Sequence, residues 1–136
     1  MQPTDEIPCS QDRIGFTPSP EEIAEVALAH IKRVDQSVVS FGQGCEGDPL
    51  LATDVIAPAV RLIRSETDRG TINMNTNASL PQALQPVIDA GLDSIRISMN
   101  SVRENCYHAY FRPKSYEFLD VLKSIELAVG SGLFVA

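Results

Sequence analysis

The residues best suited to chemistry lie together in Phe41-Gly42-Gln43-Gly44-Cys45-Glu46-Gly47-Asp48-Pro49-Leu50-Leu51. Glycines at 42, 44 and 47 let backbone groups approach a ligand, because no Cβ stands in the way, and they permit the positive φ angles that aim several such groups at one point. Glu46 and Asp48 add two carboxylates. An acidic glycine loop suits a ligand that carries a cation, since backbone carbonyls and a carboxylate can hold an ammonium group. The spacing Gly42-x-Gly44-x-x-Gly47 also matches the dinucleotide fingerprint of nicotinamide- and flavin-dependent oxidoreductases. Against that reading, Pro49 interrupts the helix entry that should hold the pyrophosphate, and Glu46 and Asp48 would repel it. Asn75 and Asn77 also stand where the fingerprint calls for an acidic residue.

Other reactive side chains are scattered. Cysteines stand at 9, 45 and 106, an odd number at wide spacing with no Cys-x-x-Cys pair, which is neither a disulfide framework nor a self-contained metal site. Tyr107, His108, Tyr110 and Phe111 form an aromatic cluster that either faces a ligand or packs on itself.

The elements that must position the glycine loop follow from periodicity. Residues 1–18, with Pro3, Pro8 and Pro18, form an irregular lead-in. Ser19-Pro20-Glu21-Glu22 combines a serine cap, a proline at the first helical position and a glutamate that completes a capping box. Ile23, Val26, Ala27, Ile31 and Val34 then form a helical stripe, with His30 on it. Ser37–Phe41 reads as a buried strand running into the glycine loop. Thr53–Ser65 is helical, with Val55, Ile56, Ala59, Val60 and Ile63 inward and Pro58 weakening the first turns. Thr71–Thr76 alternates like a strand, and Ser79 can cap a helix kinked at Pro86 and ended by Gly91. Ser94–Asn100 is a third strand, a loop runs to Lys114, a helix starts at Ser115 with Phe118, Val121, Leu122, Ile125 and Val129 inward, and Leu133–Ala136 begins a strand.

Helices alternating with strands imply an α/β fold with parallel strands and right-handed crossovers. If Ile72, Met74, Ile95, Ile97 and Met99 face the helices, then Asn73, Asn75, Arg96, Ser98 and Asn100 face the other way. Such a face either lines a wet or ligand-filled cavity or pairs internally to fix the layer. A barrel-like curve with helices outside fits this asymmetry better than a flat sheet, and a ligand would then sit at the strand C-terminal ends.

The formal charge of −7 argues against a nucleic-acid or anionic-membrane partner. With no long apolar run, and no basic or apolar leader at Met1, the expected location is the cytoplasm.

The loop from Ser40 to Leu51 resembles the Gly-Gly-Glu-Pro motif of radical S-adenosylmethionine (radical SAM) enzymes, which receives the amino group of that cofactor. By this resemblance Gly47, Asp48 and Pro49 occupy the last three motif positions, with Asp in place of Glu. Glu46 stands at the position of the first Gly, Gly44 lies two residues before it, and either Glu46 or Asp48 carries the charge. Thr76-Asn77 resembles the family's Thr-Asn-Gly turn, with Ala78 departing from Gly. Ile97-Ser98-Met99-Asn100 is similar to the strand whose polar end approaches the cofactor's carboxylate and ribose, and Arg112 resembles an arginine that takes the carboxylate. The similarity covers residues 19–136 and implies a partial (β/α) barrel.

The family holds a four-iron four-sulfur cluster through Cys-x-x-x-Cys-x-x-Cys, a motif absent from this sequence: Cys9 would need cysteines where Glu6 and Gln2 stand. The resemblance therefore implies a fragment that starts just past the cluster loop, supplies the S-adenosylmethionine cradle and is catalytically silent alone. In the intact enzyme the cluster would cleave the cofactor reductively to a 5′-deoxyadenosyl radical. The alternative is a non-catalytic half-barrel that binds a small nucleoside-like ligand or a partner chain. Either way, open strand edges invite self-association.

Overall fold

The computed structural model describes residues 15–42 and 47–136. Helix α1 (Pro20–Arg33) starts on the expected capping box: the Ser19 hydroxyl accepts from Glu22 N–H at 3.2 Å and the Glu22 carboxylate accepts from Ser19 N–H at 2.8 Å. A cap of this kind contributes about 1 kcal/mol. Strand β1 (Val38–Phe41) follows, then a 3₁₀ turn (Pro49–Ala52), helix α2 (Thr53–Glu66), strand β2 (Thr71–Thr76) and helix α3 (Pro81–Gly91). The chain continues through β3 (Ser94–Ile97), α4 (Glu104–Phe111), α5 (Phe118–Gly130) and β4 (Phe134–Val135).

The four strands form one parallel sheet in the order β1-β2-β3-β4. Sequential order with a helical crossover at each step puts the helices on one face, the arrangement of a barrel wall. Ile72, Met74 and Ile95 point into that face and are buried with Ile56, Val60 and Ile63 of α2 and Leu84 and Val87 of α3 in a single apolar core. The architecture is α/β, a partial (β/α) barrel.

Several expectations need correction. The segment before Lys114 is not all loop, because Glu104–Phe111 forms α4. Strand β3 ends at Ile97, not Asn100, and α5 starts at Phe118, not Ser115. Ser79 caps nothing: Leu80 precedes α3 without a side-chain bond, and the buried Ser79 donates its N–H to Asn77 Oδ1 at 3.0 Å.

The end helices also bury less of their stripes than their periodicity suggests. Val26 of α1 is 73% exposed and Val129 of α5 is 60% exposed, while His30 lies at the surface. The reason is positional. Helix α1 packs on α2, and α5 packs on α3, so each terminal helix of the row has a neighbour on one side.

Candidate functional site

The strand C-terminal ends are joined by Asp48. Its Oδ1 accepts from Leu50 N–H at 3.0 Å and from the Thr76 hydroxyl at 2.7 Å, and its Oδ2 accepts from Asn77 N–H at 2.7 Å. The first bond is the local turn an aspartate makes two residues on, and here it opens the 3₁₀ turn that Pro49 begins with its fixed φ. The other two reach across to the end of β2. The Thr76 hydroxyl in turn accepts from Ala78 N–H at 3.0 Å, so the turn after β2 is held by a relay. Ala78 sits in that turn at φ +56°, the left-handed region that costs a non-glycine residue about 1–2 kcal/mol. Its methyl is buried in a second apolar cluster with Tyr107, Phe118 and Val121, which offsets that cost.

The two described loop glycines have separate reasons. Gly42 holds φ +92°, and a Cβ there would run into the Asn75 carbonyl oxygen, so both space and angle demand glycine. Gly47 holds φ +96° in open space, so only the angle does. Gly44 and Glu46 lie outside the described residues, as do Cys9 and Cys45.

Of the remaining expected site residues, Pro49 is buried in the first turn after Asp48. Ser98 lies beside Thr76, its N–H donating to the Thr76 carbonyl at 2.8 Å, and the side chains of Ser98 and Asn100 are exposed at the rim. Arg112 closes α4 with φ +49° and is exposed. Among the described residues Arg112 makes no hydrogen bond or ion pair with Asp48, Thr76 or Asn77. The geometry thus joins Asp48, Thr76 and Asn77 directly, Ser98 through its backbone, and leaves Asn100 and Arg112 apart.

Below this rim the sheet face away from the helices carries a polar network. Asn73 Nδ2 donates to Ser40 Oγ at 2.9 Å and to Asn75 Oδ1 at 3.1 Å, Asn75 Nδ2 donates to the Gly42 carbonyl at 3.2 Å, and Ser94 Oγ donates to Asn73 Oδ1 at 2.8 Å. These amides therefore pair internally and stiffen the layer, while Arg96, in register with Asn75, is exposed beside them.

Of the two readings open for the aromatic cluster, self-packing holds at Tyr107. Tyr107 of α4 is fully buried, packs on the rings of Phe111 and Phe118 at centroid distances of 4.6 and 5.0 Å, and bonds the Tyr116 hydroxyl at 3.0 Å. Burial, the bond to Tyr116 and the Asp48 charge all push its phenol above the ordinary range. The aromatic cluster thus packs on itself at Tyr107. The signal was the spacing Tyr107-x-x-x-Phe111 followed by Pro113, one helical turn and a stop.

No group of three or more potential metal ligands lies together among the described residues, and Cys106 is exposed on α4.

Comparison with known proteins gives this arrangement a family. The chain is 26% identical over 132 residues to proteins described as a probable GTP 3′,8-cyclase in two strains of Halobacterium salinarum, an alignment covering 92% of this chain and 35% of each relative. It spans about a third of the length of these curated relatives. The family model of the Radical SAM superfamily matches residues 3–136, nearly the whole sequence, and the chain belongs to that superfamily.

Proposed function

We propose that this chain forms the S-adenosylmethionine cradle of a radical SAM enzyme. The observation that carries the reading is the convergence of Asp48, Thr76 and Asn77 at the C-terminal end of the parallel sheet, the end at which barrels of this kind bind their ligands. The backbone around Gly47 receives the ammonium group, Ser98 and Asn100 face the ribose and carboxylate, and Arg112 lies within the next loop to balance the carboxylate. In the intact protein a four-iron four-sulfur cluster, whose cysteine motif is absent from this sequence, would supply one-electron chemistry to the cofactor that these residues hold. The residues of this chain bind, orient and shield.

The reading is tested by calorimetric titration of the 136-residue chain with S-adenosylmethionine. Saturable one-to-one binding is expected, weakened roughly tenfold in Asn100→Ala, about the loss of one hydrogen bond to a charged group. Absence of saturable binding up to millimolar cofactor would sink it.

A second reading, a half-barrel that completes itself against another chain, is favoured by a groove of about 620 Å³ between α1 and the open edge of β1. Phe16, Val26, Val38 and Phe41 line it.

A further inference from the structure

We propose that a second copy of this chain covers both open edges of the four-stranded sheet, β4 of each copy joining β1 of the other across a twofold axis to close an eight-stranded barrel. This names the partner in the half-barrel reading and rests on that reading. It needs no cofactor.

The inner face of the sheet carries the first observation. Residues paired in register share a face, so the side away from the helices shows Asn73, Asn75 and Arg96 along β2 and β3, but Val38 on β1 and Phe134 on β4. That face is polar in its middle and apolar at its two edges. Val38 and Phe134 are both exposed, each at the position that a further strand would cover.

The outer layer carries the second. Helix α1 packs on α2 and α5 packs on α3, so their free sides flank the open edges. On those sides α1 shows Ile23 and Val26, and α5 shows Leu119, Leu122 and Val129. Glu126, also exposed, lies between Leu122 and Val129 on the same stripe of α5. Val26 precedes Val38 by as many residues as Leu122 precedes Phe134, and His30 and Glu126 match in the same way. Parallel strands of a barrel carry parallel helices outside. Joining β4 to β1 therefore brings Leu122 to the level of Val26, and Glu126 to the level of His30 in the basic last turn of α1.

Other pairings cover less. Two copies joined through β1 alone run antiparallel and leave Phe134, Leu119 and Val129 in water. Closure covers both edges of both copies, and eight strands is the number at which side chains just fill a barrel interior. Its cost is electrostatic. The exposed Arg96 of each copy then lies on one enclosed face, a like-charge approach that an open row of sheets avoids.

Cross-linking of the 136-residue chain tests the arrangement. With Cys9, Cys45 and Cys106 replaced by serine, one preparation carries Val26→Cys and another Leu122→Cys, both at exposed positions. A short bis-maleimide should join the two in a mixture and neither alone, and a chain with both changes should give products that stop at the dimer. Self-cross-linking of the Val26→Cys chain, the product of pairing through β1 alone, overturns the proposal, as does a ladder that continues past the dimer. Arg96→Gln with the natural cysteines is a second test that touches neither seam. Sedimentation should show its dimer roughly fivefold tighter, the like-charge cost being removed, and an unchanged or weaker dimer overturns closure. Dimers that give no cross-link between positions 26 and 122 overturn this arrangement and leave the half-barrel reading standing, whereas monomers at every concentration end both.

Discussion

At the scale of single residues, Tyr107 ties the site to alkaline stability. Its phenolate is disfavoured in the folded chain by burial first, then by the Tyr116 hydroxyl and the Asp48 charge. In the unfolded chain the phenol releases its proton near pH 10, roughly the unperturbed value. A group whose folded pKa is raised contributes stability below the unfolded pKa and loses it as pH climbs toward the folded one. Stability should therefore fall once pH passes about 10, and urea midpoints measured from neutral to strongly alkaline pH should show that fall blunted in Tyr107→Phe. Equal alkaline losses in both proteins would remove Tyr107 from the account. At neutral pH the same variant should cost about 1 kcal/mol, because the Tyr116 hydroxyl loses its partner. Self-packing of these aromatics was one of two readings their types allowed, but the buried phenol was not legible from types alone. Asp48 and Asn77 are visible as candidates because acids, amides and glycines cluster there, whereas the burial of Tyr107 depends on the cluster it forms with Ala78, about thirty residues away in the sequence.

At the scale of elements, the end of the sheet opposite the site is held by one arginine. Arg64, whose side chain is 15% exposed, donates to the carbonyls of Gly91 at 3.1 Å, Arg69 at 3.1 Å and Gly70 at 3.2 Å, and pairs with Asp93. Asp93 also accepts from Ile72 N–H at 2.6 Å, so the end of α3 and the starts of β2 and β3 meet at one guanidinium. Removing it leaves three carbonyls and the half-exposed Asp93 carboxylate to water. Arg64→Ala should lower unfolding free energy by roughly 1–2 kcal/mol in urea titration, with Arg64→Lys recovering less than half, since a point charge cannot serve four acceptors at once. A loss below about 0.5 kcal/mol, the size of a neutral surface change, would show the clasp to be ornamental. The elements themselves were mostly legible. The capping box placed α1, and alternation placed β2, because both signals are local. Alternation could not say where β3 stops, since that depends on its partners. The last bond from the β4 side is Ile97 N–H to the Ala136 carbonyl, and Met99 then leaves the sheet for the second apolar cluster. Helix α4 was missed because its eight residues, Glu104–Phe111, follow Arg103, which makes no side-chain cap, and its inward face rests on the single buried residue Tyr107.

At the scale of the whole molecule, the sheet has two edges, β1 and β4, that are unpaired among the described residues, and both sit beside apolar surface. On one side Val38 of β1 is 55% exposed and Val26 of α1 is 73% exposed, with the groove between them. On the other, Phe134 of β4 is 73% exposed. Half-exposed stripes on α1 and α5 are what a row of helices shows when each end lacks a neighbour, and periodicity alone cannot reveal a missing neighbour. Edge strands of this kind offer free N–H and C=O groups to any further strand. Sedimentation velocity of the 136-residue chain should therefore show concentration-dependent association. Val26→Glu places a charge in the groove that a packed strand would have to desolvate, at a cost of several kcal/mol, so association through this edge should weaken at least tenfold. Val26 is already solvated in the isolated chain, so the same change should leave its unfolding midpoint nearly unmoved, which separates a lost contact from a damaged fold. A monomer at every concentration, with and without the substitution, would mean that these edges are closed to partners and would count against the half-barrel that completes itself.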